Sequence, residues 1–144
     1  MSRRNLLAAL IAVVAFIIVI QFIPVPGLRH DPTPVAEPAW KSPQTRALAV
    51  RACYDCHSDQ TRWPWYSRVA PVSWVVAHHV AEGRALLNFS HPSARRVSAA
   101  RAARAVERGS MPPFYYTWMH PGARLTRGER QALAEGLVAS LGGG

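Results

Sequence analysis

Cysteine is almost missing from this chain of 144 residues: there are two, Cys53 and Cys56. The only internal disulfide open to the chain would therefore join residues three positions apart. Lysine is scarcer still, with Lys41 alone, so the basic character is nearly all arginine. Acidic residues number 8 against 17 lysines and arginines, a formal charge of +9. In a cytosolic protein that excess points to nucleic acid. No segment alternates apolar and polar residues over the length of a strand and no segment repeats, which leaves helices. The length allows about one domain with one modest core.

What is present begins with a long apolar run. Ser2-Arg3-Arg4 precede NLLAALIAVVAFIIVIQFI, in which Leu6 to Ile20 is unbroken apolar sequence. That run is just long enough to span a bilayer. A cleaved signal peptide has a shorter apolar region ending at a small-x-small site, whereas this run closes on Phe22-Ile23-Pro24-Val25-Pro26-Gly27. Residues 1–23 are accordingly read as a signal anchor, a single transmembrane helix. Arg3 and Arg4 compete with Arg29 and Lys41 beyond the far end, so charge alone leaves the orientation open. Residues 24–41 carry Pro24, Pro26, Pro32, Pro34 and Pro38, too many for a helix. They read as a linker, which if extended advances about 3.1 Å per residue. The alternative is a strap packed along the next domain.

Residues 42–144 are punctuated as helices. Ser42-Pro43 supplies an N-cap and a proline at the first helical position, starting a helix that delivers Cys53 at its end. Pro71 opens a second, carrying Val72, Val75, Val76 and Val80 and ending near Leu87-Asn88. Ser93 to Arg108 is rich in alanine and stops at Gly109. Thr126 and Glu129 form a capping-box pattern before Leu133, Leu137 and Leu141, spaced four apart on one face. The expected fold is all-α, about four helices.

The two cysteines stand in RACYDCHS, Arg51 to Ser58, with His57 directly after the second. Thiol oxidoreductase pairs open a helix that follows a strand, and this chain offers no strand. A zinc site needs two further ligands, from scattered residues such as His78, His79 and His91. C-x-x-C-H is the spacing of c-type haem attachment: two cysteines reach the two vinyl groups and the adjacent histidine comes under the iron. One covalent haem c is the expected cofactor, with Cys53 and Cys56 as thioethers and His57 as proximal iron ligand. Attachment of that kind takes place outside the cytoplasmic membrane. The expected location is the inner membrane, single-pass, with the C-terminal domain periplasmic, which removes nucleic acid as a partner.

CYDCHS, TRWPWYSRVAPVSW from Thr61 to Trp74, the residues Leu86 to Ser90, and GSMPPFYYTWMHPGARLT from Gly109 to Thr126 resemble a family of small membrane-anchored bacterial proteins with a single-haem "haem-binding domain". The resemblance covers most of the exported domain. It implies haem binding in the cell envelope and kinship with cytochromes c, and attaches no defined activity.

With His57 as ligand, its second ring nitrogen needs an acceptor. Small cytochromes c use a backbone carbonyl near a downstream proline, so Pro71, with Pro64 as rival, marks the expected loop. Met111, in a loop of Gly109-Ser110-Met111-Pro112-Pro113, is the expected sixth ligand. Met119, His120 or an open site are the alternatives. His78 and His79 point about 100 degrees apart on a helix and cannot both face one group. Trp63, Trp65, Tyr66 and Trp74, with Phe114, Tyr115, Tyr116 and Trp118, are candidate cover for a haem's apolar faces. Trp63, Arg62 and Arg68 are candidate haem contacts, the arginines as donors to propionates. Arg101, Arg104 and Arg108 form a positive stripe. Two functions stay open, an electron carrier ligated by His57 and Met111 and meeting unidentified redox proteins, or a haem-based sensor with a displaceable sixth ligand. A peroxidase is a weaker third. No residue is assigned as catalytic.

Overall fold

The computed structural model describes residues 2–28 and 30–142. Met1, Arg29, Gly143 and Gly144 lie outside the described residues, including the Arg29 charge weighed above. The chain divides into two compact units: one of the N-terminal residues through His30 with Trp63–His79, the other of Asp31–Arg62 and the residues from Val80 onward. Among the described residues there are seven α-helices and no strands.

The first unit is dominated by α1, Arg3–Ile20, started by Ser2, whose hydroxyl accepts from the Asn5 amide at 3.3 Å. It has 18 residues at a mean hydropathy of 2.2, and nearly every side chain is exposed. By length and composition it can cross a membrane. One residue past it, Gln21 pairs with the backbone of Ala70, accepting from its amide at 2.9 Å and donating to its carbonyl at 3.3 Å. Trp65–Arg68 forms a single 3₁₀ turn, closed by the Ser67 hydroxyl on the Pro64 carbonyl at 2.6 Å. The helix α4, Val72–Leu86, begins in this unit and ends in the second.

The second unit holds the core. Its helices are α2, Pro43–Ala52; the one-turn α3, Tyr54–His57; the end of α4; α5, Ala99–Glu107; α6, Phe114–Met119; and α7, Arg127–Leu141. Ser42 caps α2 with its hydroxyl on the Thr45 amide, and Thr126 and Glu129 close a reciprocal capping box at α7. These local signals place both starts where the sequence predicts them. Leu133, Leu137 and Leu141 turn one face of α7 onto Leu48, Ala49 and Ala52 of α2 and Val106 of α5. Burying each such leucine contributes roughly 1.5–3 kcal/mol. Gly136 lets α2 approach closely, because a Cβ there would collide with the side chain of Thr45.

α5 starts later than its alanine content predicts. Pro92–Ala94 is a 3₁₀ turn, and the helix begins only after Ser98, whose hydroxyl accepts from the Arg101 amide. The Arg95 guanidinium reaches instead to the carbonyls of Pro92 and Leu141, at 3.0 and 2.7 Å. Propensity gave way to a cap and to tertiary bonds. The proline-rich stretch also has a packed course from Asp31 on: Val35 and Ala36 amides donate to Ser90, Glu37 pairs with Arg46, and Trp40 packs on Tyr54 and Phe89.

Candidate functional site

α2 runs out at Cys53, where φ is −125° and ψ −33°, and the chain restarts as the single turn α3. The Cys56 and His57 amides both donate to the Cys53 carbonyl, at 3.1 and 2.9 Å. Positions 53, 56 and 57 therefore stand in i, i+3, i+4 relation, which a helical turn gathers on one face. Two thiols and one imidazole are presented together by five residues of backbone.

The imidazole is fixed by main chain. His57 Nδ1 lies 3.0 Å from the Gly83 carbonyl and 2.9 Å from the Leu87 carbonyl. A carbonyl oxygen only accepts, so Nδ1 carries the hydrogen and Nε2 is left with a bare lone pair. Burial holds the imidazole below its ordinary pKa, partly offset by those two carbonyls, so it is neutral at pH 7. The Leu87 carbonyl lies just beyond the end of α4, and such carbonyls lack intrahelical partners. The partial negative charge of a helix C-terminus raises the basicity of the ring. From the other side, the Phe89 amide donates to the His57 carbonyl at 2.7 Å, and the Phe89 ring, 1% exposed, stands edge-on to the imidazole at 6.4 Å. The sequence expectation of a loop carbonyl near Pro71 or Pro64 is corrected here. The acceptors belong to the end of α4: the Leu87 carbonyl, past the last turn, has no intrahelical partner, and the Gly83 carbonyl faces His57 while also accepting from the Leu87 amide at 2.9 Å.

Gly83 serves a second purpose. A Cβ at this position would lie 3.2 Å from the Cβ of Cys56 and closer still to that residue's carbonyl oxygen. Only glycine lets the motif turn lie on α4. An isolated glycine inside a helical pattern was the available sequence signal.

Burial pushes the Cys53 thiol up to about 12, and burial followed by the Asp55 charge pushes that of Cys56 up to about 11. Both sulfurs are protonated at neutral pH. Rapid thiol exchange draws on a lowered value, which this pair lacks. Among the described residues no three His, Cys, Asp or Glu side chains converge as a metal cage requires.

Two buried aspartates, both overlooked in the sequence, organise the surroundings. Asp55, between the cysteines, accepts from the Tyr116 hydroxyl at 2.7 Å and from the Arg62 amide and Nε at 3.2 and 3.3 Å. Burial and the bond to Asp55 push the Tyr116 hydroxyl far above its usual range, which keeps it a donor. Asp59 accepts from Asn88 at 2.8 Å and from His91 Nε2 at 2.7 Å, while its own amide donates to Ser90. Arg84 joins this group, donating to the Ser58 carbonyl at 2.9 Å and to Thr61 at 3.0 Å, with Asp59 and Asp31 as its ion partners. Apart from the Arg62 bonds, seven positions from Asp55, these contacts link residues 23 to 61 positions apart, so no local pattern announces them.

Of the expected sixth-position residues, Met111 lies between α5 and α6 and is 39% exposed. Its amide, with the amide and hydroxyl of Ser110, donates to the Ala105 carbonyl at 3.0–3.1 Å. Met119 ends α6, and His120 stacks on Tyr116 with ring centroids 4.4 Å apart. On the same helix Phe114 and Trp118 are 82% and 74% exposed. Of the candidate haem contacts, Arg62 is engaged by Asp55, whereas Trp63 and Arg68 lie in the first unit, Arg68 exposed. His78 and His79 also fall there, with ring centroids 6.1 Å apart.

A haem needs an imidazole with Nε2 bare, two thiols one turn away and apolar surface to cover its faces. The neutral, carbonyl-bonded His57, the protonated cysteines and the exposed rings of α6 meet that description. A family model described as a haem-binding domain matches residues 15–139. No curated protein and no solved structure matches the chain.

Proposed function

We propose that this chain, which belongs to the haem-binding domain family, is a membrane-anchored c-type electron carrier with one covalent haem. The bound group supplies a one-electron couple between ferrous and ferric iron. In this reading Cys53 and Cys56 would hold the group covalently, each as a thioether to one of its two vinyl groups. His57 would hold its iron through Nε2. The observation that carries the reading is the pair of carbonyls on Nδ1, which fixes the tautomer and aims the free lone pair.

Met111 is the proposed distal ligand. A thioether favours the ferrous state and raises the reduction potential relative to a second histidine. α1 is the proposed anchor, with the second unit on the outer side of the cytoplasmic membrane, where thioether attachment occurs. The partial exposure of Met111 favours one second reading, a sensor in which a gas displaces the methionine.

One experiment separates them: visible spectra of the oxidised and reduced protein, with and without carbon monoxide, for the parent and for Met111→Ala. A carrier has a low-spin parent with a weak sulfur-to-iron band and slow carbon monoxide binding, both altered by the substitution. Rapid binding by the parent, or a Met111→Ala spectrum identical to it, sinks the carrier reading.

A further inference from the structure

We propose that Asp55 and Tyr116 form a positioning pair, in which the Tyr116 hydroxyl bound to the carboxylate between the two cysteines holds the Met111 loop against the haem motif. The inference rests on Met111 as distal ligand and names what keeps it there.

The Met111 loop has two attachments. At its start, Ser110 and Met111 bond to the Ala105 carbonyl at the end of α5, which sets the loop on the helical core. At its far side, five residues beyond Met111, Tyr116 donates to Asp55 Oδ2 at 2.7 Å. Between them stand Pro112, Pro113 and the first turn of α6, whose Tyr116 and Thr117 amides donate to the Pro113 carbonyl at 3.1 Å. Two prolines and a helical turn have few free torsions, so a displacement at Tyr116 is transmitted to Met111 rather than absorbed.

The tyrosine is itself held. Its ring stacks on His120 at an interplanar angle of 20°, and the chain then enters a 3₁₀ turn at Pro121–Ala123. The aspartate is equally committed: Arg62 occupies Oδ1 through both amide and guanidinium, leaving Oδ2 to the tyrosine. A bond to an ionised acceptor is about twice as strong as one between neutral groups. Asp55 is covalently between the two haem-bearing positions, so this one bond references the distal loop to the motif. Both residues act through Met111 and are positioning residues.

The test uses the full-length, haem-loaded protein in detergent, with carbon monoxide as probe. Carbon monoxide must displace the methionine, so its association rate reports how firmly the loop is held. Tyr116→Phe keeps the ring and removes the donor; it is expected to raise the association rate about tenfold. It should also weaken the sulfur-to-iron band while leaving covalent haem content unchanged. Asp55→Ala should match it, and the double variant should exceed neither, because the two act as one unit. Asp55→Asn, which keeps an acceptor oxygen, should restore the slow rate. The proposal is overturned if Tyr116→Phe and Asp55→Ala bind carbon monoxide at the parent rate while Met111→Ala binds fast. If Met111→Ala also behaves as the parent, the assignment of Met111 falls and takes the pair with it.

Discussion

Gly83 and Cys56 meet backbone to backbone: a methyl group on Gly83 has nowhere to go, with the Cys56 Cβ 3.2 Å from where its carbon would lie. The residue that admits the motif turn also lends its carbonyl to His57. Packing and the orientation of the His57 ring therefore fail together.

Gly83→Ala tests this through its sign. By helix propensity alone the change stabilises by about 1 kcal/mol. Here the intruding methyl is expected to destabilise by about 1–3 kcal/mol. Thermal unfolding of the haem-loaded protein should shift down by several degrees, with reduced haem incorporation. Gly128→Ala in the first turn of α7, where nothing lies within 4 Å of the added atom, should instead raise the unfolding temperature slightly and leave haem loading unchanged. A Gly83→Ala protein as stable and as fully loaded as its parent rules out the close contact.

The cysteines should carry haem irreversibly. Denaturing electrophoresis followed by haem staining, and acid-acetone extraction, should leave the colour with the chain. Cys53→Ala with Cys56→Ala should abolish it. Covalent haem in that double variant would remove the thioether assignment.

The anchor makes a separate claim. A reporter active only outside the cytoplasm, fused at the C-terminus, should be active, and the protein should stay with membranes after a carbonate wash. A soluble, N-terminally shortened product would identify α1 as a cleaved leader.

Acid should loosen the strap. The Arg46 guanidinium, 2.6 Å from Glu37, holds that carboxyl below its ordinary value of 4.5. A carboxyl depressed by folding contributes stability above its unfolded value, and the contribution is lost as pH falls through the lower folded value. Glu37→Gln should therefore cost at most about 1 kcal/mol at pH 7, since the pair is partly exposed, and nothing measurable well below pH 4. Urea midpoints for parent and variant at both pH values give the difference. An equal cost at both would assign the effect to packing of Trp40.

What the sequence made legible was local. C-x-x-C-H, Ser42-Pro43 and the Thr126/Glu129 box are each confined to five residues or fewer, and each marks its own backbone conformation. The period of Leu133, Leu137 and Leu141 likewise names its own buried face. The surroundings of the motif were not legible. Asp55 meets Tyr116 across 61 positions, and Asp59 meets His91 across 32, in pairs of common residue types whose partners only the folded chain selects. The start of α5 was misjudged because six residues of favourable composition were drawn into tertiary bonds by Arg95 and Arg96.

Because both acceptors for His57 Nδ1 are main-chain carbonyls, no exchange of side chains can delete them. Random mutation can reach this hydrogen bond only by displacing the helix end that offers it. Variants selected for an altered His57 environment should then seldom be exchanges of a hydrogen-bonding side chain, and should collect at positions whose bulk or capping moves α4, with Gly83 foremost. In its genetics the orientation of His57 would behave like that of a buried packing residue, tolerant of its chemical neighbours and sensitive to volume.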